Sequence, residues 1–595
     1  MSSAYSDITH QAKRRALASA SVDSDSDDSE TTTSRRSRIA EDKDNEVVLA
    51  DAAAGANADD FIDQRDADYD AADFELLDAE ALAEAGMDVD ELLRLVDSAP
   101  AVKEMDDAEL RAGLARLQRA ADANLMARAK HPDEPLKFLP SELDLDEAVK
   151  ALAGLATEPA LFPVFASLRG PALLAQLLTH ENLDIGLGAA GLLSELLDDT
   201  ALTAPAPQER AAAWALAGAL AGDGALTALC AFLLRLDESV SEHAKGAAAV
   251  LTLFYAIISA AAEVSSAAAA AALAGESAAA DTEAVVATAA ATASALATEC
   301  GLVPWLLLRV RYGDVHPYFA RAGATGTASN AEAAAHAPAT AAAGRHRVRP
   351  PAAYAAGAFS ETRALAAELL ALLLTAPSPS AASGSDAMDL GAAARGAVVA
   401  ADGLEDLVSA VGPYRRPPPV DPSTGRAAVP APLEEEFAAN LFLALTAALS
   451  YPYPAVTVTG ASATATATAT APAAAAAQAD PVAMFVRAEG LELMLAAARV
   501  QCPLMPAALK VIETALDSAA AAALAAEAAA DADADADTDA EGSVMDAGAV
   551  ATRLVEVGAI KTLFPLFVGD LGKRFAVDEA AIASRLMAIC TYNIV

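Results

Sequence analysis

Seven histidines, at positions 10, 131, 180, 243, 316, 336 and 346, and four cysteines, Cys230, Cys300, Cys502 and Cys590, are the residues of this 595-residue chain best suited to bind a metal or act as nucleophiles. No two histidines have the i, i+4 spacing of an HExxH helix, and no cysteine has a partner at CxxC spacing. His180 and His243 fall at or just after predicted turns, where a solvated or capping imidazole is expected. Three of the cysteines sit in apolar, helix-like runs where a thiol simply packs. Gly569-Asp-Leu-Gly-Lys-Arg lacks the glycine spacing and the Ser/Thr hydroxyl of a phosphate loop, and there is no GxSxG. The expectation is a protein without metal, cofactor or catalytic residues. An active site assembled across distant segments would instead show as a cleft of strongly perturbed ionisable groups.

What remains chemically is charge. Forty Lys and Arg oppose 83 Asp and Glu, a formal charge of −43 that repels phosphate backbones and anionic lipid headgroups. Direct nucleic-acid and membrane-surface binding are therefore not expected. The run from Gly246 to Ala262 has no charge but is shorter than the roughly 20 apolar residues of a spanning helix, so it reads as a buried helix.

The carboxylates are unevenly distributed. The first hundred residues hold 26 acidic and 9 basic side chains, and residues 1–73 have too few large apolar groups to offset the entropy of ordering, so they read as a disordered acidic tail. Two basic clusters in it, Lys13-Arg14-Arg15 and Arg35-Arg36-Ser37-Arg38, read either as a nuclear import signal or as ordinary solvated charge; the absence of an apolar leader places the chain in the cytosol or nucleus. Residues 74–150 form a helical lead-in, with Leu110, Leu114 and Leu117 at helical intervals and Ser141 expected as an N-cap before Glu142 and Asp144.

From 151 to 595 the pattern repeats. Gly170 opens a short apolar helix, a polar break follows, and Ile185, Ala189, Leu192, Leu193, Leu196 and Leu197 make one face of a second helix. The same order recurs at Gly224, Gly301, Gly403, Gly490 and Gly558. Start-to-start spacings of 54, 77, 102, 87 and 68 residues exceed the roughly 40 to 47 of armadillo-type repeats. The excess coincides with low-complexity stretches at 264–298, 320–357, 376–399, 455–479 and 518–541, read as inserts outside the stack. A helix pair cannot bury its apolar face alone, so the predicted fold is an all-α, armadillo-like solenoid. Glu195, Asp198, Asp199, Glu242 and Glu368 lie on or at the ends of the second helices; they read either as groove carboxylates that hold a basic peptide or as an ordinary solvated helix face.

HPDEPLKFLPSELDLDEAV (131–149), LDESVSEHAKG (236–246), RAEGLELM (487–494), ALKVIETAL (508–516) and GAIKTLFPLF (558–567) resemble the beta-catenin-like protein 1 family. The resemblance implies a nuclear armadillo protein of the spliceosome-associated nineteen complex, acting in pre-mRNA splicing as a non-enzymatic scaffold. Its implied partners are the other proteins of that complex and, on the groove, a basic segment of a Myb-like splicing factor. The alternative is a nuclear-import receptor of the importin-alpha kind, whose Trp and Asn ladder has no counterpart here beyond Trp214, Trp305 and Asn440. Family members continue past Val595, so the chain is expected to lack its terminal helices. Leu563, Phe564, Phe567, Ile582 and Leu586 would then face water and favour self-association.

Overall fold

The computed structural model describes residues 105–238, 240–274, 280–312, 360–376, 390–416, 432–451, 480–499, 504–532, 545–568 and 579–592, all within the compact unit Lys103–Val595. The acidic tail and both basic clusters lie outside them. Every regular element among the described residues is helical.

Helix α1 (Asp107–Lys130) starts on a capping box: Asp106 accepts from the Glu109 N–H at 2.8 Å, and Glu109 accepts in return from the Asp106 N–H at 3.4 Å. Helix α2 (Pro135–Lys150) runs back along it, burying Phe138, Leu145 and Val149 near Leu110, Leu114 and Leu117. Ser141 is not the predicted cap. Pro135, with its fixed φ and missing N–H, opens the helix six residues earlier, and the Ser141 hydroxyl donates to the Phe138 carbonyl within it.

Six units follow, each of three helices rather than the predicted two. The first comprises α3 (Phe162–Ser167), α4 (Gly170–Leu177) and α5 (Leu183–Leu196), with the single turn α6 (Asp199–Leu202) after it. The second has α7 (Pro207–Gly222), α8 (Ala225–Leu233) and α9 (Ser241–Leu273); the third has α10 (Ala280–Thr298), α11 (Leu302–Tyr312) and α12 (Glu361–Thr375). The fourth is α13 (Leu390–Ala400), α14 (Gly403–Val411) and α15 (Pro432–Leu449). The fifth is α16 (Pro481–Arg487), α17 (Gly490–Arg499) and α18 (Met505–Ala532), and the sixth α19 (Ala547–Glu556), α20 (Ala559–Val568) and α21 (Glu579–Cys590).

The first and second helices of every unit meet at a corner of two or three residues, and the six corners hold all the left-handed residues in the described chain. Gly224, Gly301 and Gly558 take the positive φ themselves. At the other corners Arg169, Asp402 and Glu489 take it, and the glycine comes next. There it is needed for a different reason: a Cβ on Gly170 or Gly490 would come within 2.1 Å of the Phe165 or Phe485 ring. The recurrent glycines thus mark the corner in two registers, one residue apart.

Like helices pack on like. The third helices form an unbroken row, with α2 against α5, α5 against α9, then α12, α15, α18 and α21 in turn. One continuous core runs through the stack and includes Leu192 and Leu196. Helix α9 is long and apolar enough to cross a membrane by length and composition, yet its Leu251, Phe254, Ile257 and Ile258 are buried in this core.

Two further expectations change. Residues 280–298, 390–399 and 518–532, read as inserts, belong to α10, α13 and α18, where Ala289, Ala293, Ala394, Val398 and Ala519 are buried. Alanine combines the highest helix propensity with a side chain small enough for close packing, but carries almost no periodic hydrophobic signal. The stretches 320–357 and 455–479 lie outside the described residues. Leu563, Ile582 and Leu586 do not face water: the last unit closes on itself and on α18, leaving each no more than 2% exposed. Only Phe564 of that set is exposed, and the Phe567 side chain is outside the described atoms.

Candidate interaction surface

The third-helix row is the surface on which the candidate carboxylates fall. Two buried polar clusters fix where its helices begin. In the first, Arg128 of α1 pairs with Glu142 of α2 and Glu181, and lies over the Phe138 ring at 4.5 Å. Asn182 caps α5, accepting from the Asp184 N–H, and donates to Glu142. His180 Nδ1 accepts the Asn182 N–H at 3.1 Å, so its proton sits on Nε2 and is donated to Asn124 Oδ1 at 2.9 Å. Burial pushes the His180 pKa below its ordinary value, holding the ring neutral. In the second cluster Arg309 of α11, 1% exposed, pairs with Glu238 before α9 and donates to Ser360 and Thr362 at the start of α12. One guanidinium thereby ties the starts of two neighbouring third helices.

Among the candidates, Glu195 is exposed in the last turn of α5. Asp198 is exposed but occupied as the cap of α6, accepting from the Ala201 N–H at 2.8 Å and from the Thr200 hydroxyl. Asp199 opens that turn and stands close enough to Glu263 of α9 that burial and its like charge raise the Glu263 pKa. Glu242 is exposed in the first turn of α9, and Glu368 is half-buried on α12.

These positions do not converge. Helices α5 and α9 run in the same direction: Leu187 meets Gly246, the Ser194 hydroxyl donates to the Ala249 carbonyl at 3.0 Å, and Asp199 neighbours Glu263. Glu242 is therefore level with the start of α5 and Glu195 with its end, about 18 Å of helix rise apart. Glu263 was missed because it lies in an alanine-rich run with no polar pattern around it. Arg309 was missed because its partners come from segments 71 and 51 residues away.

The charge of the row is lopsided. Among the described side chains of the third helices, Asp184, Glu195, Glu242, Glu263, Glu361, Glu435, Asp517 and Glu527 are exposed, and of the basic ones only Lys245 is. Among the described residues no three of His, Cys, Asp and Glu come together to hold a metal ion. Such a surface attracts cations along its length rather than at one point.

Residues 88–274, from before α1 through α9, match the family described as catenin-beta-like, Arm-motif containing nuclear. Human beta-catenin-like protein 1 is 32% identical over 142 residues, which is 24% of this chain and 24% of the human protein. The homologue from Schizosaccharomyces pombe is 31% identical over 151 residues, 25% of this chain and 26% of its own. The match thus spans about a quarter of these relatives. A solved structure from work on the cadherin–beta-catenin interaction aligns over 85% of this chain and 91% of its own, with 12% identity and a TM-score of 0.21, too low to bear on the fold. Over residues 88–274, the chain is similar to the catenin-beta-like, Arm-motif containing nuclear family.

Proposed function

We propose that this chain is a non-enzymatic scaffold of the nucleus that works in pre-mRNA splicing with the nineteen complex, its third-helix row holding a basic segment of a Myb-like splicing partner. The observation that carries the reading is the charge imbalance of that row, eight exposed carboxylates against one exposed lysine. An extended peptide advances about 3.3 Å per residue, so about six residues reach from Glu242 to Glu195. Basic side chains spaced along it would meet carboxylates on successive helices. The resemblance of its sequence motifs to the beta-catenin-like protein 1 family supports the nuclear and splicing setting.

Fluorescence anisotropy with a labelled basic peptide tests the site. Glu195→Lys with Glu242→Lys should weaken binding, and raising salt should weaken it further because exposed charges are screened over about 8 to 10 Å. Reversing Asp25 and Asp27 in the tail should change little. Loss of affinity from the tail variant alone would move the binding role to the acidic N-terminus. Recovery of spliceosomal proteins on affinity purification from nuclear extract tests the setting separately.

A further inference from the structure

His180 stands where three parts of the chain meet: the α1–α2 pair, the turn between α4 and α5, and the end of α8. From α1, Asn124, 1% exposed, accepts the ring's Nε2 proton and in turn donates to the Ser141 hydroxyl of α2 at 3.0 Å. Arg235, just past the end of α8, donates to the carbonyls of Leu178 and of His180 itself. The other ring nitrogen accepts the N–H of Asn182, the residue that caps α5 and reaches Glu142 of α2. Charge around the ring is already matched: Arg128 of α1 and Arg235 stand against Glu142 of α2 and Glu181 of the turn. Helix α4 carries no charged side chain, and Asp184 in the first turn of α5 is exposed.

A second proton on this ring has no comparable place. At Nδ1 it takes the lone pair that receives the Asn182 N–H. The Asn182 carbonyl, 3.3 Å away, could receive it, but the Asn182 N–H would then be orphaned. The proton also sets a new charge beside Arg128 in a half-buried site, where burial already disfavours it. We propose that the His180 turn is a proton-operated latch: with the ring neutral it holds the α1–α2 pair against the first unit, and protonation of Nδ1 loosens that junction while the units beyond stay packed. Because α2 begins the third-helix row, the latch decides whether that row starts at α2 or at α5. The folded ring resists protonation, so the latch contributes fully above the ordinary imidazole pKa of about 6.5 and is lost as pH falls toward the depressed folded value.

Peptide-resolved hydrogen exchange of the full chain, corrected for the intrinsic pH dependence of exchange, is the test. Ordinary carboxylates titrate near pH 4, so a window from about pH 7.5 to about 5.5 isolates imidazole. Across it, protection in α1, α2 and the start of α5 should fall by up to about tenfold, while that in α14 and α17 holds. His180→Gln, which cannot take up the proton, should remove this pH dependence whether or not it also lowers protection at neutral pH. His131, the other imidazole of the α1–α2 pair, faces Glu134 at 3.7 Å, and His131→Gln should leave the pH dependence in place. A wild-type chain whose α1 and α2 protection is constant across the window, or falls equally in every unit, overturns the proposal. So does a pH dependence that survives His180→Gln or disappears in His131→Gln.

Discussion

Replacing Gly490 by alanine should break the fifth corner, although alanine is ordinarily the better helix former by about 1 kcal/mol. The added Cβ would lie 2.1, 2.3 and 2.6 Å from three atoms of the Phe485 ring. Unbonded carbons settle at about 3.5 to 4.0 Å, so each contact is too short by about 0.9 Å or more. The ring is fully buried and cannot swing into solvent; either the α16–α17 corner opens or the ring displaces its neighbours. Overpacking of this kind costs about 1 to 3 kcal/mol, and three simultaneous overlaps place Gly490→Ala toward the upper end. A stacked array need not unfold in one step, so hydrogen exchange resolved by peptide is the suitable assay. Protection should fall in α16 and α17 and hold in α7 and α8. Phe485→Leu in the same chain should restore part of it by removing the ring. Undiminished protection in Gly490→Ala, or no recovery in the double variant, would refute the corner packing.

Arg309→Ala should be among the most destabilising single changes, because it leaves the Glu238 carboxylate, 15% exposed, without its charge partner and with the Thr362 hydroxyl as its remaining donor; breaking such a pair costs about 3 to 5 kcal/mol. Arg309→Met with Glu238→Gln should recover part of that loss in thermal melts. Glu263→Gln should raise stability at neutral pH. The raised folded-state pKa means that folding favours protonated Glu263: its contribution is fully present below the ordinary carboxylate pKa of about 4.3 and is lost as pH rises through the folded value. The advantage of the variant should therefore vanish below about pH 4, and it should shrink at pH 7 when Asp199→Asn is also present.

Helices with large apolar side chains were visible in the sequence because leucine at helical intervals admits no other periodicity. The row α5, α9, α12 and α15 is read directly from Leu192, Leu251, Leu369 and Leu441. The first helices of the third and fourth units were hidden by the opposite property. In α10 and α13 the contact residues are mostly alanine, so a helix that packs on both neighbours resembles a linker. The glycine signal was sound in position but ambiguous in cause, since a residue that must adopt positive φ and one that must lack a Cβ look identical in one dimension. The acidic character of the row was legible as composition. Its layout was not, because Glu195 and Glu242 are separated by the direction in which two helices pack, and the clusters that set that packing join residues far apart in the chain.

The two kinds of junction in each unit govern what the chain tolerates. The third helices range from 12 to 33 residues and the connections before and after them vary too, while the six corners hold to two or three residues. A residue added at a corner would rotate the second helix by about 100° relative to the first, turning its buried stripe away from both neighbours and propagating the error through every later unit. The same residue added before a third or a first helix only lengthens a connection whose closure entropy grows slowly with length. The solenoid is in this sense metered at its corners and open elsewhere, so spacings from 54 to 102 residues can share one stacking geometry.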